Sequence, residues 1–333
     1  MTRGDEKRLE RALDRIEERL YDAARGFHEA GGPADVEGLS RSLLPDDVRR
    51  FWARWDGMDL GHGSVTIGDV DAVETLTTAA REEGLIGAGD VLFAQRGDES
   101  FVFPEDPWEE GAEVVLVDDQ GSRFPMSGTL TGFVLAQIGE LSVLYDEEGE
   151  FQEDTFGEDG ELTPAVRRRL LRRHLDYDPD APLARLQLGQ SLRREGDLEA
   201  ALREFEAVLV RAPSFAWAQV ETGRAAVVLG RYARAQEAFR AALESERDPD
   251  LKTFVRAWLA LAMGEGEARE RLAAEVLSET PDFASQEEAA AREALGLGDV
   301  ARAREHVRLG LCVSPRALGL MALRRELEGT RES

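Results

Sequence analysis

Cysteine is almost missing from this 333-residue chain: Cys312 stands alone, so no internal disulfide can form. That fits a reducing compartment, and a cytoplasmic location is expected. No run of residues approaches the ~20 apolar positions a membrane span needs. The charged start, Met1 to Arg8, has no apolar stretch behind it, so neither a secretory signal nor a transmembrane helix is expected. Basic charge is short as well. Lys and Arg number 41 against 67 Asp and Glu, a net charge of −26, which speaks against any general phosphate-gripping surface and hence against nucleic acid as a partner.

Signatures of chemistry are equally sparse. His28, His62, His174 and His306 are scattered, and none has a Cys or His neighbour at zinc-ligand spacing. There is no Gly-x-Ser-x-Gly elbow. The glycine-rich run Gly84–Gly89 lacks the Lys-Ser/Thr of a phosphate loop. Between Asp154 and Glu161, Thr155 and Gly157 stand where a calcium loop needs side-chain ligands. No catalytic residue, metal ligand or cofactor is expected, and the chain does not read as an enzyme.

What is present is unevenly distributed. Residues 1–162 hold 14 basic and 39 acidic side chains, a net of −25, whereas residues 163–333 hold 27 and 28, a net of −1. Two halves of such different composition predict two domains. The border from Asp146 to Glu161 carries nine acids and no base, which reads as a solvated linker or hairpin because dense like charge resists compaction. The expected divisions are a leading helix and linker over 1–38, an α+β domain over 39–145, an acidic linker over 146–163 and a helical array over 164–329.

The second half repeats every 34 residues. Gly196, Gly230, Gly264 and Gly298 keep that spacing, as do Phe205 and Phe239, Gly189 and Gly223, and Ala201 and Ala235, with Ala303 further along. Such a period predicts stacked helical hairpins. Glycine tolerates the positive φ at the turn, small alanine lets the two helices approach, and proline stops the second helix. The stretch LGQSLRREGDLEAALREFEAVLVRAP resembles the tetratricopeptide repeat, and four repeats fall near 182–215, 216–249, 250–283 and 284–317. In the third, Arg269 replaces the small residue and Gly264-Glu265-Gly266 loosens the turn. Flanking cap helices are expected at Val166–Leu175 and Arg316–Leu327.

That resemblance implies a concave groove lined by the first helix of each repeat. Its positions fall on Leu186, Gln190, Arg193 and Arg194; on Trp217, Val220, Arg224 and Val227; on Leu251, Phe254, Trp258 and Leu261; and on Glu288, Arg292 and Leu295. Of these, Gln190, Arg193, Arg194, Trp217, Arg224, Phe254, Trp258 and Arg292 are the candidate partner-binding residues. A basic and aromatic lining would suit an acidic-hydrophobic segment. Aromatics at helical spacing also serve simply as packing between helices.

In the first half, Leu9, Leu13, Ile16, Leu20, Ala24 and Phe27 recur at helical steps, predicting one helix from Asp5 to Ala30. Further helices are expected at Asp46–Trp55, Val70–Glu83 and around Leu130–Ile138. Strands are expected at Ser64–Ile67, Val91–Gln95, Ser100–Phe103 and Glu113–Val117. The order suggests an α+β domain with a mainly antiparallel sheet. Leu44-Pro45 before a helix, Phe51 within it, Asp56-Gly57 after it, the strand pair Leu92–Ala94 and Phe101–Phe103 and a terminal helix at Phe133 resemble the SUKH (Smi/Knr-like) superfamily. That group includes many bacterial immunity proteins, so the resemblance implies a domain that binds a protein target such as a basic nuclease toxin. The acidity of this half is independently suited to a basic partner. The densest candidate surface is Glu105, Asp106, Trp108, Glu109 and Glu110. The expected function is therefore that of a non-enzymatic protein-binding protein of the immunity type. The alternative is a scaffold or adaptor of a multiprotein assembly that works through the repeat groove.

Overall fold

The computed structural model describes residues 3–24, 26–35, 46–146, 148–158, 160–246 and 248–329. Its contacts divide the chain into two compact units, Met1–Leu188 with Val210–Pro213, and Gly189–Leu209 with Ser214–Ser333.

The first unit contains a seven-stranded antiparallel sheet whose strands neighbour one another in chain order: β1 (His28–Ala30), β2 (Met58–Leu60), β3 (Val65–Ile67), β4 (Val91–Arg96), β5 (Glu99–Phe103), β6 (Val114–Val117) and β7 (Arg123–Ser127). Its helices are α1 (Arg3–Asp22), α2 (Asp46–Trp52), α3 (Val70–Glu82), α4 (Pro107–Glu110), α5 (Leu130–Leu144) and α6 (Pro164–Tyr177). Consecutive residues of β4 and β6 are buried, so both faces of the central sheet are covered. On one face Leu92, Val102, Val115 and Val117 pack with Ala80 and Ile86. On the other, Phe93 stacks on Phe103 with centroids 4.2 Å apart, and Phe101 meets Phe133 of α5 at 4.7 Å. Trp52 closes this aromatic face and donates its indole N–H to the Gly68 carbonyl at 3.0 Å.

The leading helix is shorter than its periodicity predicts. It ends at Asp22, Gly26 turns the chain at φ +83°, and His28–Ala30 pairs with β2. Phe27 leaves the stripe to pack edge-on to His62 and Tyr145. Strand pairing satisfies backbone groups that the hydrophobic pattern cannot reveal. Leu9, Leu13 and Ile16 are buried, and Arg50 and Arg54 of α2 and the turn after it pair with Glu6, Glu10 and Asp14 of α1. The second helix stops at Trp52 rather than Trp55, and β2 and β7 are additional to the strands expected. Leu44-Pro45 lies outside the described residues.

The acidic stretch is a pair of tight turns, closed by bridges Tyr145↔Phe151 and Phe156↔Leu162. Asp146 caps the first by accepting from the amides of Glu148 and Glu150. Phe151 stacks on Tyr145 at 4.5 Å, so aromatic contact holds the turn while the described acids stay in solvent. Helix α6, expected to cap the array, packs on α5: a Cβ at Gly139 would lie 2.5 Å from the Tyr177 ring, and His174 meets Glu140 at 2.5 Å. The division between units accordingly falls at Leu188/Gly189 rather than in the acidic stretch at 146–163.

His28 makes this unit sensitive to pH. Its Nδ1 accepts from the Gly61 amide at 3.1 Å. Burial, and then nearby His62, push its pKa from 6.5 down to about 4, against the pull of Asp59. The neutral ring therefore stabilises the fold fully above pH 6.5, and that contribution is lost as pH falls towards about 4. In urea unfolding followed across this window, the stability of the unit is expected to fall with pH. The His28→Gln variant, which keeps an acceptor that does not titrate, is expected to flatten that slope.

The second unit is built of helical hairpins. They are α7 (Pro182–Arg194) with α8 (Leu198–Arg211), α9 (Ala216–Val228) with α10 (Tyr232–Ser245), α11 (Pro249–Met263) with α12 (Glu267–Glu279), and α13 (Phe283–Gly296) with α14 (Val300–Val313); α15 (Leu318–Gly329) closes the series. The division between units falls inside α7, whose last residues belong here. Gly196, Gly230, Gly264 and Gly298 all have positive φ at the hairpin turns. At Gly189 and Gly223 a Cβ would stand 2.4 Å from the rings of Phe205 and Phe239, which explains the recurrent Gly–Phe pairing. The fourth hairpin departs from regular stacking: α14, rather than α13, packs on α11 and α12. Arg269, at the position where other hairpins bury alanine, reaches the Cys312 carbonyl on α14 at 3.4 Å.

Candidate functional site

The inner helices of the second unit enclose a cleft of about 670 Å³. Residues from α7 (Gln190, Arg193, Arg194), α9 (Trp217, Glu221, Arg224) and α11 (Leu251, Phe254) line it, and so does the N-terminal half of α14 (Arg302, Glu305, His306). Each first helix ends at a glycine turn and presents the same face inward, and Arg193 and Arg224, which are not equivalent positions of the repeat, reach the same two carboxylates from different hairpins.

At the centre are four charged groups, all poorly exposed. Arg193 meets Glu221 at 3.0 Å and Glu305 at 2.8 Å, and Arg224 meets the same two carboxylates at 3.0 and 2.7 Å. The side chain of Glu221 is only 3% exposed. Burial alone would raise the Glu305 pKa, but Arg224 and Arg193 outweigh it and hold the carboxylate below its ordinary value. Burial likewise opposes the charge on Arg224, and Glu221 and Glu305 overcome it, so this guanidinium stays charged. The Arg224 guanidinium also lies over the Trp258 ring at 5.2 Å. The centre of the cleft is therefore neutral: two cations face two anions.

Of the groove positions expected from sequence, the cleft brings together Gln190, Arg193, Arg194, Trp217, Arg224, Leu251 and Phe254. Trp258 is 2% exposed and packs against Phe239, so it serves the core. Arg292 is exposed on α13, bonded to Glu288 at 2.9 Å, and does not line the cleft. Leu186, Val220, Val227 and Leu251 are buried. Glu221 and Glu305 were not legible as site residues. Glu305 sits on a second helix, and only the altered docking of the fourth hairpin turns it inward.

In the first unit, Glu105, Asp106 and Glu109 are exposed around α4. Glu110 turns inward to Arg123 at 2.8 Å, and Arg123 also pairs with buried Asp90 at 2.6 Å. Trp108 belongs to α4, with its side chain outside the description. Among the described residues no group of His, Cys, Asp and Glu is arranged to hold a metal ion, and no helix is long and apolar enough to cross a membrane.

The tetratricopeptide-repeat family profile matches residues 192–259. Among solved structures, MamA (residue 41 to the end) from Desulfovibrio magneticus is 18% identical, with 46% of this chain and 88% of that chain covered, at a TM-score of 0.34. A tetratricopeptide repeat protein from Parabacteroides merdae is 20% identical, with 51% and 70% covered, at 0.36. A thermophilic one from Thermus thermophilus is 18% identical, with 49% and 90% covered, at 0.34. No curated protein matches the sequence. The repeat assignment rests on the matched segment and on the hairpins with their glycine turns.

Proposed function

With tetratricopeptide repeats in the second half as the premise, we propose that this protein is a non-enzymatic adaptor that captures a segment of another protein along the cleft of its helical array. The observation that carries this reading is the rim of the cleft. Trp217 is 37% exposed there, beside exposed Arg194 and half-buried Phe254. A large aromatic held on a rigid helix next to a cation is the composition of an interface anchor. Capture of a partner from the native cell by the full chain is expected to drop at least about tenfold in Trp217→Ala, as for a central aromatic anchor. Unchanged capture by Trp217→Ala and Arg194→Ala together would remove the cleft from consideration.

A second reading keeps the immunity-type, SUKH-like interpretation of the first unit. It is favoured by the exposed cluster of Glu105, Asp106 and Glu109 in a half of net charge −25. On this reading a basic protein such as a nuclease toxin meets the acidic face. The same capture experiment separates the two, because such binding would survive Trp217→Ala and weaken steeply with added salt.

A further inference from the structure

Three features of α14 do not belong to a regular array. It takes the place α13 would occupy on α11 and α12. It carries Glu305 into the centre of the cleft, and it leaves a cleft of about 670 Å³ beside it. We propose that α14 is a displaceable internal ligand, with Glu305 standing where the carboxylate of an acidic helical segment binds between Arg193 and Arg224. This deepens the adaptor reading of the cleft and rests on it.

The fourth hairpin is built to move as a piece. Helices α13, α14 and α15 share an apolar cluster of their own, including Ala291, Ala303, Val307, Leu320 and Leu323. Its apolar attachment to the preceding helices runs through three side chains, Phe283 at the start of α13 and Leu309 and Val313 of α14, which join the cluster around Val255 and Trp258. Beyond these it is held by the Glu305 ion pairs and by the Arg269 hydrogen bond to the Cys312 carbonyl. Buried ion pairs contribute little net stability, because desolvation offsets their attraction. The network is also incomplete, since the Arg224 Nε is buried without a hydrogen-bond partner. Undocking would thus leave the two guanidinium groups sharing Glu221 alone, with one cation uncompensated above an aromatic floor, and a carboxylate-bearing segment would satisfy it as Glu305 does. The chemistry that recognises the partner is then an acidic residue followed one helical turn later by an apolar one, copying Glu305 and Leu309.

The chain carries its own reporter. Cys312 is its one cysteine, 5% exposed on α14 and next to Arg269 of α12, so its thiol is covered while α14 is docked. In the full chain under native conditions, labelling of Cys312 by a small disulfide reagent is expected to be slow. Glu305→Lys puts a third cation between Arg193 and Arg224. It is expected to speed labelling about 100-fold, and Glu305→Gln about tenfold, with helix content unchanged. A fluorescent peptide of residues 300–313 carrying Cys312→Ser is the probe for the emptied cleft. It is expected to bind full-length Glu305→Lys at least about ten times more tightly than the same peptide carrying Glu305→Gln, as a charge-assisted contact requires. Labelling within twofold of the wild type in both variants would show α14 to be a fixed part of the core. Fast labelling with no preference between the two peptides would show that the cleft does not read a carboxylate. Either outcome could accompany Trp217-dependent partner capture, which would leave the adaptor reading standing. If Glu305→Lys fails to fold, the labelling rate of Glu305→Gln decides the question.

Discussion

Glu221→Ala is expected to destabilise the second unit by about 3–5 kcal/mol, the loss typical of breaking a buried ion pair from one side. Glu221 is 3% exposed and faces both Arg193 and Arg224. Removing it leaves two buried guanidinium groups sharing the single carboxylate of Glu305. The cost is that of uncompensated buried charge, not the worth of the contact. Glu288→Ala, which breaks the exposed pair with Arg292, provides the contrast and is expected to cost no more than about 1 kcal/mol. Urea unfolding of the two variants measures the difference directly. Acid should act in the same direction. The Glu305 carboxylate is held below its ordinary pKa, so its contribution is complete above the ordinary carboxylate range and is lost as pH falls through the depressed value. Equal and small effects of Glu221→Ala and Glu288→Ala would mean that water reaches the cluster freely.

The first unit is expected to lose a similar amount, about 3–5 kcal/mol, in Trp52→Ala, as for other buried aromatics truncated to alanine. Trp52 is 1% exposed and contacts Phe51, Phe93 and Phe103. Its ring fills the space between α2 and the aromatic face of the sheet, where the packed neighbouring rings resist collapse. Trp52→Phe separates the two roles of this side chain. It retains most of the apolar volume but removes the donor to the Gly68 carbonyl, and is expected to cost about 1–3 kcal/mol. Hydrogen exchange at the β4 and β5 amides is the readout. Protection unchanged in Trp52→Ala would show that α2 is peripheral to the sheet.

The repeats were legible because their determinants are local. A glycine at each turn, a Gly–Phe contact within the first two hairpins and a proline near the hairpin ends are one-dimensional signals, and the helices at 182–313 lie where the 34-residue period puts them. The central strands were legible for a related reason, being short runs of β-branched and aromatic residues bounded by turns. Elements decided by pairing were not. His28–Ala30 and Met58–Leu60 form strands because each supplies the other's backbone partners, and the hydrophobic steps around Phe27 look helical until that partner is in place. Helix α6 has the arginine-rich, periodic look of the array, yet Gly139 and Tyr177 fit it to α5.

The sequence by itself therefore determined the class of each half: an acidic module with an antiparallel sheet, and a charge-neutral stack of helical hairpins. It also nominated half of the side chains that line the cleft. Only the tertiary structure decided their electrical state. Glu305 lies 112 positions from Arg193 and 81 from Arg224, and no local pattern encodes an ion pair over such separations. Whether a guanidinium faces solvent or a buried carboxylate depends on how whole hairpins dock. That in turn is set by the summed shape of many apolar contacts, not by any one stretch of chain.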